Sequence, residues 1–172
     1  MPTAPTTVFL DRDGVISRGL PAGEYVVSVD KFDLLPGSPE AIARLTAAGA
    51  TVFVVTNQQG VGKGLMSLED LDAIHAVLLA ETEKAGGSIA GILVCPHLEG
   101  TCDCRKPATG LFLEAQRRLP SIVLSESIVV GDSESDMEAA RRIGAKGIMV
   151  GTSRGAEHEN LSEAVDFLLG QP

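Results

Sequence analysis

Short apolar runs alternate with longer segments of mixed polarity along most of the chain. A short apolar run is typical of a strand, and a run that is apolar at every position suits a strand buried on both faces. The pattern predicts five strands, at residues 8–10, 51–55, 89–94, 127–130 and 146–150.

Between the strands, apolar residues recur at the spacing of amphipathic helices. Ser38 is predicted as the N-cap of one helix, with Pro39 at its first helical position. Ser67 and Asp70 resemble a capping box that opens a helix ending near residue 84. Ser135 is predicted to cap a later helix, which runs through residues 137–143. The remaining helices are predicted at residues 110–119 and 162–169.

The alternation of strands and helices predicts an α/β sandwich built on a parallel sheet. The chain has 172 residues with 44% hydrophobic content, which is enough for one domain with its own core. No repeat, low-complexity segment or linker interrupts the pattern. We therefore expect a single domain over residues 1–172.

The formal net charge is −9 and the basic residues are scattered, so we expect neither nucleic acid nor an anionic membrane as a partner. The first seven residues lack the basic and apolar stretches of a signal peptide. The longest apolar runs fall far short of the roughly 20 residues that span a bilayer. These features predict a cytoplasmic protein, which we expect to be a monomer.

Two aspartates, Asp11 and Asp13, directly follow the first predicted strand. Strand periodicity allows both side chains to face the same point, at the sheet edge where parallel α/β proteins bind ligands. Two carboxylates that close together repel each other unless a cation or a shared proton compensates. Asp-x-Asp-Gly is also ordinary turn chemistry, so this segment alone leaves both interpretations open.

Polar residues follow two further predicted strands. The sequence Thr-Asn-Gln at residues 56–58 follows the second strand, and Asp132 follows the fourth. Asp136 lies in the first turn of a predicted helix, where stabilisation of the helix dipole is an alternative to a functional role. His75 flanks an apolar helical stripe and nothing nearby marks it as a ligand, so we expect its role to be structural.

All three cysteines of the chain lie within ten residues, together with one histidine. Cys95, His97, Cys102 and Cys104 make up a Cys3His set of the kind that binds structural zinc tetrahedrally. Buried free cysteines would not be concentrated in this way, and a redox role would favour a Cys-x-x-Cys pair. The expected zinc loop, residues 95–104, would hold the adjoining Arg-Lys-Pro segment in place.

The predicted strand ends thus carry carboxylates, a hydroxyl, an amide and, through the zinc loop, Lys106. This set fits phosphoryl transfer through an aspartyl-phosphate. Carboxylates bind Mg²⁺, a hydroxyl and a lysine bind the phosphoryl oxygens, and one free carboxylate attacks phosphorus.

These motifs resemble those of the haloacid dehalogenase (HAD) superfamily of Mg²⁺-dependent phosphohydrolases. The resemblance extends from Val8 to about Val150. The motifs that carry it are Asp11-Arg12-Asp13-Gly14, Thr56-Asn57-Gln58, Lys106 in Cys-Arg-Lys-Pro, and Gly131-Asp132-x-x-x-Asp136. The resemblance implies a HAD-like three-layer sandwich with a Rossmann-like parallel sheet. The intervals between the motifs leave no room for a cap domain.

The resemblance also implies a role for each motif residue. Asp11 would be the nucleophile, and Asp13 would protonate the leaving alkoxide and then deprotonate the hydrolytic water. Mg²⁺ would lie between the carboxylates of Asp11 and Asp132 and the backbone carbonyl of Asp13. Thr56 and Lys106 would bind the transferring phosphoryl group.

The cysteine-rich loop resembles the small zinc-containing branch of the superfamily, whose members act on D-glycero-D-manno-heptose 1,7-bisphosphate or on histidinol phosphate. Tyr25-Val26 and the residues after Asn57 are nearer to the heptose group, whereas the short interval from His97 to Cys102 is nearer to the histidinol-phosphate group. Both substrates stay open, with removal of the heptose 7-phosphate preferred. A non-catalytic zinc-stabilised binding module is disfavoured, because every residue the chemistry needs is present. Substrate contacts are expected from Thr56, Asn57, Gln58, Arg105, Lys106 and Ser133.

Overall fold

The computed structural model describes residues 6–170. At its centre lies a five-stranded parallel sheet with the strand order β3-β2-β1-β4-β5. The strands are β1 (Thr7–Leu10), β2 (Thr51–Asn57), β3 (Gly91–Cys95), β4 (Ile128–Gly131) and β5 (Lys146–Met149). The predicted parallel α/β fold is thus confirmed, with small shifts at the strand ends.

Six α-helices accompany the sheet within the described residues. They are α1 (Ser38–Ala47), α2 (Gln59–Gly62), α3 (Leu68–Lys84), α4 (Gly110–Arg118), α5 (Glu134–Ile143) and α6 (Leu161–Leu169). The short helix α2 was not predicted, because two of its four residues are glycines, which have a low helix propensity.

Two of the three predicted helix N-caps are wrong by one or two residues. Ser67 does cap α3, with Asp70 completing the capping box. The N-cap of α1 is Gly37, whose φ of +79° suits glycine. Ser38 instead donates its hydroxyl hydrogen to the backbone carbonyl of Ile16, at 2.7 Å.

The start of α5 differs from the prediction for a related reason. Ser133, and not Ser135, is the N-cap. The carboxylate of Asp136 accepts hydrogen bonds from the Ser133 backbone N–H and hydroxyl, which fixes the helix start at this serine. A sequence with serines at both positions gives no local signal for choosing between them.

The hydrophobic core lies on both faces of the sheet, as the continuously apolar strands predicted. Val8 and Leu10 pack in one cluster with α1 and α6, while Phe9 points to the opposite face. There Phe9 makes an edge contact with Phe112 of α4, with ring centroids 5.1 Å apart, and stacks on Phe53 at 5.9 Å. The sheet is therefore fixed from both sides, and β1 lies at its centre.

Residues 17–33, predicted to be a loop or small hairpin, form a loop that covers one side of the carboxyl end of β1. Its ends pair, since the Arg18 N–H donates to the Asp33 carbonyl at 2.8 Å. A 3-10 turn spans Val29–Lys31. Val26 is buried in a small cluster that includes Ile74 of α3, and this contact attaches the loop to the rest of the fold.

Across residues 6–170, no helix combines the length and apolar character needed to cross a bilayer.

Candidate active site

The candidate catalytic residues meet at the carboxyl edge of the sheet. β1 pairs with β2 on one side and with β4 on the other, so the ends of these three strands share one edge. Asp11 directly follows β1, Asp132 directly follows β4, and Thr56 and Asn57 are the last residues of β2. The structure therefore brings these residues together, as their positions after the strands predicted.

Three carboxylates, those of Asp11, Asp132 and Asp136, form the acidic centre of this edge, with oxygen atoms within 4.8 Å of one another. Burial raises the pKa of Asp11 well above its usual range, against the attraction of Lys106, and the neighbouring carboxylates add to the shift. Burial also raises the pKa of Asp132, and Asp136 contributes. Charges packed this closely favour a bound cation, and carboxylate oxygens are ligands that Mg²⁺ prefers.

Gly14 allows the loop after β1 to approach the carboxylates. Its φ is +89°, and a Cβ atom at this position would lie 1.9 Å from Asp132 Oδ2. A larger residue would therefore displace the carboxylate and fill the space beside it. The glycine of the Asp-x-Asp-Gly sequence thus serves the acidic centre as well as the turn.

Lys106 supplies the positive charge of the site. Its Nζ donates to the Val55 carbonyl at 2.7 Å and to Asp136 Oδ1 at 2.6 Å, and lies 3.1 Å from Asp11 Oδ1. Burial opposes the charge of this ammonium, but the two carboxylates outweigh burial and raise the pKa of Lys106 above its ordinary value. The side chain is therefore a buried cation beside Asp11.

Asp136 holds Lys106 in place. Its Oδ1 accepts the lysine hydrogen bond, while its Oδ2 accepts from the hydroxyl of Ser133 at 2.8 Å. Asp136 does lie in the first turn of α5, so the helix-dipole explanation and the contact with Lys106 both apply. Ser133, a predicted substrate contact, uses its hydroxyl on Asp136 and on Ser135.

The carboxylate of Asp13 is held by four donors. Arg12 Nε and NH2 donate to its two oxygens at 3.0 and 2.9 Å, in a bidentate ion pair. Ser17 donates to Oδ1 at 3.1 Å, and Gln58 donates to Oδ2 at 2.8 Å. Sequence reasoning missed the role of Arg12. The available signal was a charged residue inserted between two aspartates at the end of an apolar strand.

The Thr-Asn-Gln segment after β2 ties the site together. Gln58 Nε2 donates to Thr56 Oγ1 at 2.8 Å as well as to Asp13, so one amide connects the two groups. Asn57 pairs with the backbone of Lys106, accepting from its N–H at 3.0 Å and donating to its carbonyl at 3.2 Å. Both residues are predicted substrate contacts. In the structure, the Asn57 side chain holds the backbone of Lys106, and the Gln58 side chain holds the carboxylate of Asp13.

A cavity of about 220 Å³ opens onto this edge. The 17–33 loop forms one wall and the strand ends form the other. Arg105 is not among the residues that line this cavity and has no side-chain hydrogen bond within residues 6–170, but its charge acts on Tyr25, which does line it. The cavity is lined by Asp13, Gly19, Leu20, Glu24, Tyr25, Val26, Asn57, Gln58 and Asp132.

The predicted zinc ligands converge in one loop. The side-chain donor atoms of Cys95, His97, Cys102 and Cys104 all lie within 4.8 Å of one another. His97 Nδ1 is 3.2 Å from Cys104 Sγ, and Cys95 Sγ is 3.5 Å from Cys102 Sγ. A tetrahedral zinc site with Zn–S bonds of 2.3 Å has sulfur atoms about 3.8 Å apart. The four side chains therefore fit a tetrahedral metal ion.

Comparison with known proteins agrees with this geometry. Residues 103–169 match the HAD-hydrolase-like family. A D-glycero-alpha-D-manno-heptose-1,7-bisphosphate 7-phosphatase of Mycobacterium bovis is 48% identical over 139 residues, which cover 80% of this chain and 73% of the relative. A D-glycero-beta-D-manno-heptose-1,7-bisphosphate 7-phosphatase of Pseudomonas putida is 42% identical over 149 residues, covering 86% and 83%.

A solved structure gives the same result. The crystal structure of D,D-heptose 1,7-bisphosphate phosphatase from B. bronchiseptica, complexed with magnesium and phosphate, matches with a TM-score of 0.86 at 35% identity. The match covers 95% of this chain and 98% of that one. The chain therefore belongs to the HAD-like hydrolases. Within them it is a phosphatase, a phosphoric monoester hydrolase.

Proposed function

We propose that this phosphatase removes the 7-phosphate of D-glycero-D-manno-heptose 1,7-bisphosphate, through an aspartyl-phosphate formed on Asp11. The observation that carries the proposed chemistry is the pairing of a buried lysine with Asp11, 3.1 Å apart, inside a cluster of three carboxylates. A cation is needed there to let an anionic nucleophile approach an anionic phosphate. The names of the relatives support the substrate.

In the first half of the proposed reaction, a carboxylate oxygen of Asp11 attacks phosphorus and the sugar alkoxide leaves. Lys106 offsets the negative charge on the nucleophile and on the phosphoryl oxygens. Of the three contacts that Lys106 Nζ makes, the one with Asp11 is the longest. We therefore propose that the N–H directed at Asp11 also donates to a phosphoryl oxygen. We propose that the hydroxyl of Thr56, which accepts a hydrogen bond from Gln58, binds the same phosphoryl group.

Asp13 handles the proton in both halves of the proposed reaction. It gives a proton to the departing alkoxide, and later takes one from the water that attacks the phosphorus of the intermediate. Release of phosphate then restores the Asp11 carboxylate. Because four donors already hold the Asp13 carboxylate, one of them has to yield to the sugar oxygen. Gln58 lies on the cavity wall, and we propose that it is the donor that yields.

The proposed Mg²⁺ ligands are Asp11, Asp132 and the backbone carbonyl of Asp13. When bound, the ion would neutralise the charge that develops on the transferring phosphoryl group. Asp136 is assigned to Lys106 instead, because both of its oxygens already accept hydrogen bonds. This assignment makes Asp136 an indirect support of the metal site.

Arg105 favours a second phosphate over the amine of histidinol phosphate. Its guanidinium is unpaired within residues 6–170, and its charge reaches the cavity wall at Tyr25. There Lys63 and Gln59 are the larger causes of the lowered pKa, and Arg105 adds to them. An anion at the far end of the substrate would pair with this group, whereas a cationic amine would be repelled. The alternative substrate, histidinol phosphate, therefore lacks a matching charge.

The substrate proposal is tested by phosphate release with Mg²⁺ from both heptose bisphosphate anomers and from histidinol phosphate. We expect kcat/KM to favour a heptose bisphosphate by a hundredfold or more, about 2.7 kcal/mol of differential transition-state binding. Phosphorus NMR should show loss of the 7-phosphate.

A variant tests the proposed role of Arg105 in the same assay. Arg105→Gln should lower kcat/KM for the bisphosphate more than for heptose 7-phosphate. A preference for histidinol phosphate would contradict the proposed substrate.

We further propose that zinc occupies the Cys3His cluster and positions the phosphoryl-binding lysine. Cys104 directly precedes Arg105 and Lys106. The loop also contacts the substrate side, because Gln59 accepts the Glu99 N–H at 2.7 Å and donates to the Tyr25 hydroxyl at 3.2 Å. A closed site of this kind stabilises a loop without taking part in the reaction.

Zinc removal should therefore lower activity without abolishing the fold. Chelation, or the variant Cys102→Ser, is expected to reduce kcat/KM about tenfold or more, as the loss of supporting metal contacts often does. Zinc content measured with activity tests this coupling, and added zinc should restore the chelated enzyme but not the variant. Full activity in a zinc-free, Mg²⁺-loaded preparation would refute the coupling.

A further inference from the structure

Arg12 is a completely buried arginine directly beside the proposed acid. A guanidinium has five N–H donors and no acceptor, so burial requires partners for them. Two of its nitrogens donate to Asp13, and NH1 lies 3.1 Å from His75 Nε2. The ring of Phe32 lies 5.6 Å from its central carbon. Three separate segments of the chain thus fix one side chain.

His75 is the partner on the side away from Asp13. Because the guanidinium can only donate, Nε2 of His75 must accept, which places the histidine proton on Nδ1. The histidine is therefore neutral in this contact. Burial, together with the charge of Arg12, lowers the pKa of His75 to about 4, in agreement with this tautomer.

The direction of the Asp13 carboxylate matters for its proposed task. About a third of its side chain, 31%, is exposed, and Asp13 lines the cavity. An acid acts only when its oxygen lies within hydrogen-bond reach of the leaving group. The bidentate fork of Arg12 fixes the plane of the carboxylate, since two parallel N–H···O bonds allow little rotation.

We infer that His75 is a positioning residue for the acid step, acting through Arg12 to aim the Asp13 carboxylate at the leaving oxygen. This inference rests on the proposed function, because it needs Asp13 as the acid. His75 itself touches neither Asp13 nor the cavity that holds the reacting groups. Loss of its acceptor would free one Arg12 N–H and loosen the fork.

The test compares two substrates that differ in their need for an acid. A sugar phosphate leaves as a basic alkoxide, whereas p-nitrophenyl phosphate leaves as a stable phenolate that needs no proton. The measured quantity is kcat/KM, which reports the steps up to formation of the phosphoenzyme. The later role of Asp13 as a base therefore does not enter.

For His75→Leu we expect kcat/KM on heptose bisphosphate to fall about tenfold to a hundredfold, a partial loss of the 10²- to 10⁴-fold that general acid catalysis typically contributes. On p-nitrophenyl phosphate we expect kcat/KM to change less than about threefold. His75→Gln, whose amide oxygen can accept from Arg12, should stay within about threefold of the natural enzyme on both substrates. If His75→Leu does not fold, Arg12→Lys takes its place, because it keeps the charge and loses the fork. The same selective loss is then expected.

An equal loss on both substrates would indicate a merely structural role and overturn the inference, as would no loss on either. Asp13→Asn separates this result from failure of the proposed function. If Asp13→Asn shows the selective loss and His75→Leu does not, the inference alone is wrong. If Asp13→Asn shows no selective loss, the acid role of Asp13 is wrong, and the inference fails with it.

Discussion

Asp11→Asn is expected to abolish turnover, with kcat reduced by a factor on the order of 10⁴ or more, the scale seen when a catalytic nucleophile is removed. The amide has no anionic oxygen to attack phosphorus and is a weaker Mg²⁺ ligand. Burial raises the pKa of Asp11, so its charge is unfavourable to the folded protein. An isosteric neutral residue should therefore leave the free energy of unfolding of the metal-free protein undiminished.

The measurement is steady-state phosphate release beside chemical denaturation of the same preparations. Asp166→Asn is the matched control, because Asp166 lies on α6 and pairs with Arg44 of α1, and neither residue lines the cavity. This control should keep full activity. An Asp11→Asn enzyme that still turns over substrate at a tenth of the natural rate would contradict the mechanism.

Lys106→Met should produce the second-largest effect. Removing a preorganised donor of transition-state charge typically costs about 10² to 10³ in kcat, and we expect a loss of at least this size. The carboxylates of Asp11 and Asp136 would also lose their buried partner, which destabilises a protein by about 3–5 kcal/mol. Since the Lys106 ammonium no longer competes with Mg²⁺ for the carboxylates of the acidic centre, the affinity of the variant for Mg²⁺ should be unchanged or higher.

Titration calorimetry with Mg²⁺ separates this account from simple loss of the metal. Lys84→Met is the control, because the Lys84 side chain is 77% exposed and pairs with Glu81 on the same helix. It should change neither activity nor Mg²⁺ affinity. Weaker Mg²⁺ binding in Lys106→Met, with activity restored by excess Mg²⁺, would show that the lysine serves the metal instead of the phosphoryl group.

The sequence predicted the features that follow from periodicity and from chemical clustering. Continuous apolar runs gave the strands, and parallel pairing then placed Asp11, Thr56 and Asp132 at one edge. The proximity of the four proposed zinc ligands was predictable because they fall within ten residues. Local patterns are sufficient for features of this kind.

Contacts between distant segments were not predictable. Arg12 and His75 are 63 positions apart, and Lys106 and Asp136 are 30 apart. Only the packing of α3 and α5 against the sheet makes these pairs meet. The sequence therefore gave no sign of the contact between His75 and Arg12, and it could not decide whether Asp136 serves the helix dipole or another side chain.

The sequence also did not show which neighbouring group each polar side chain of the candidate site would contact. Ser133 is a predicted substrate contact, and the structure shows that its hydroxyl donates to Asp136 at the start of α5. Asn57, another predicted substrate contact, fixes the backbone of Lys106 with both ends of its amide. In each case a polar residue at the right strand end supports a neighbouring group of the candidate site.

The most direct test of the central claim is to trap the covalent intermediate. Enzyme mixed with heptose bisphosphate and Mg²⁺ is quenched in acid during the first turnover, and the digested protein is analysed by mass spectrometry. We predict the added mass of one phosphoryl group on the peptide that contains Asp11, and its absence in Asp11→Asn. Release of a full equivalent of phosphate with no phosphorylated peptide, or with the label on another residue, would contradict an aspartyl-phosphate at Asp11.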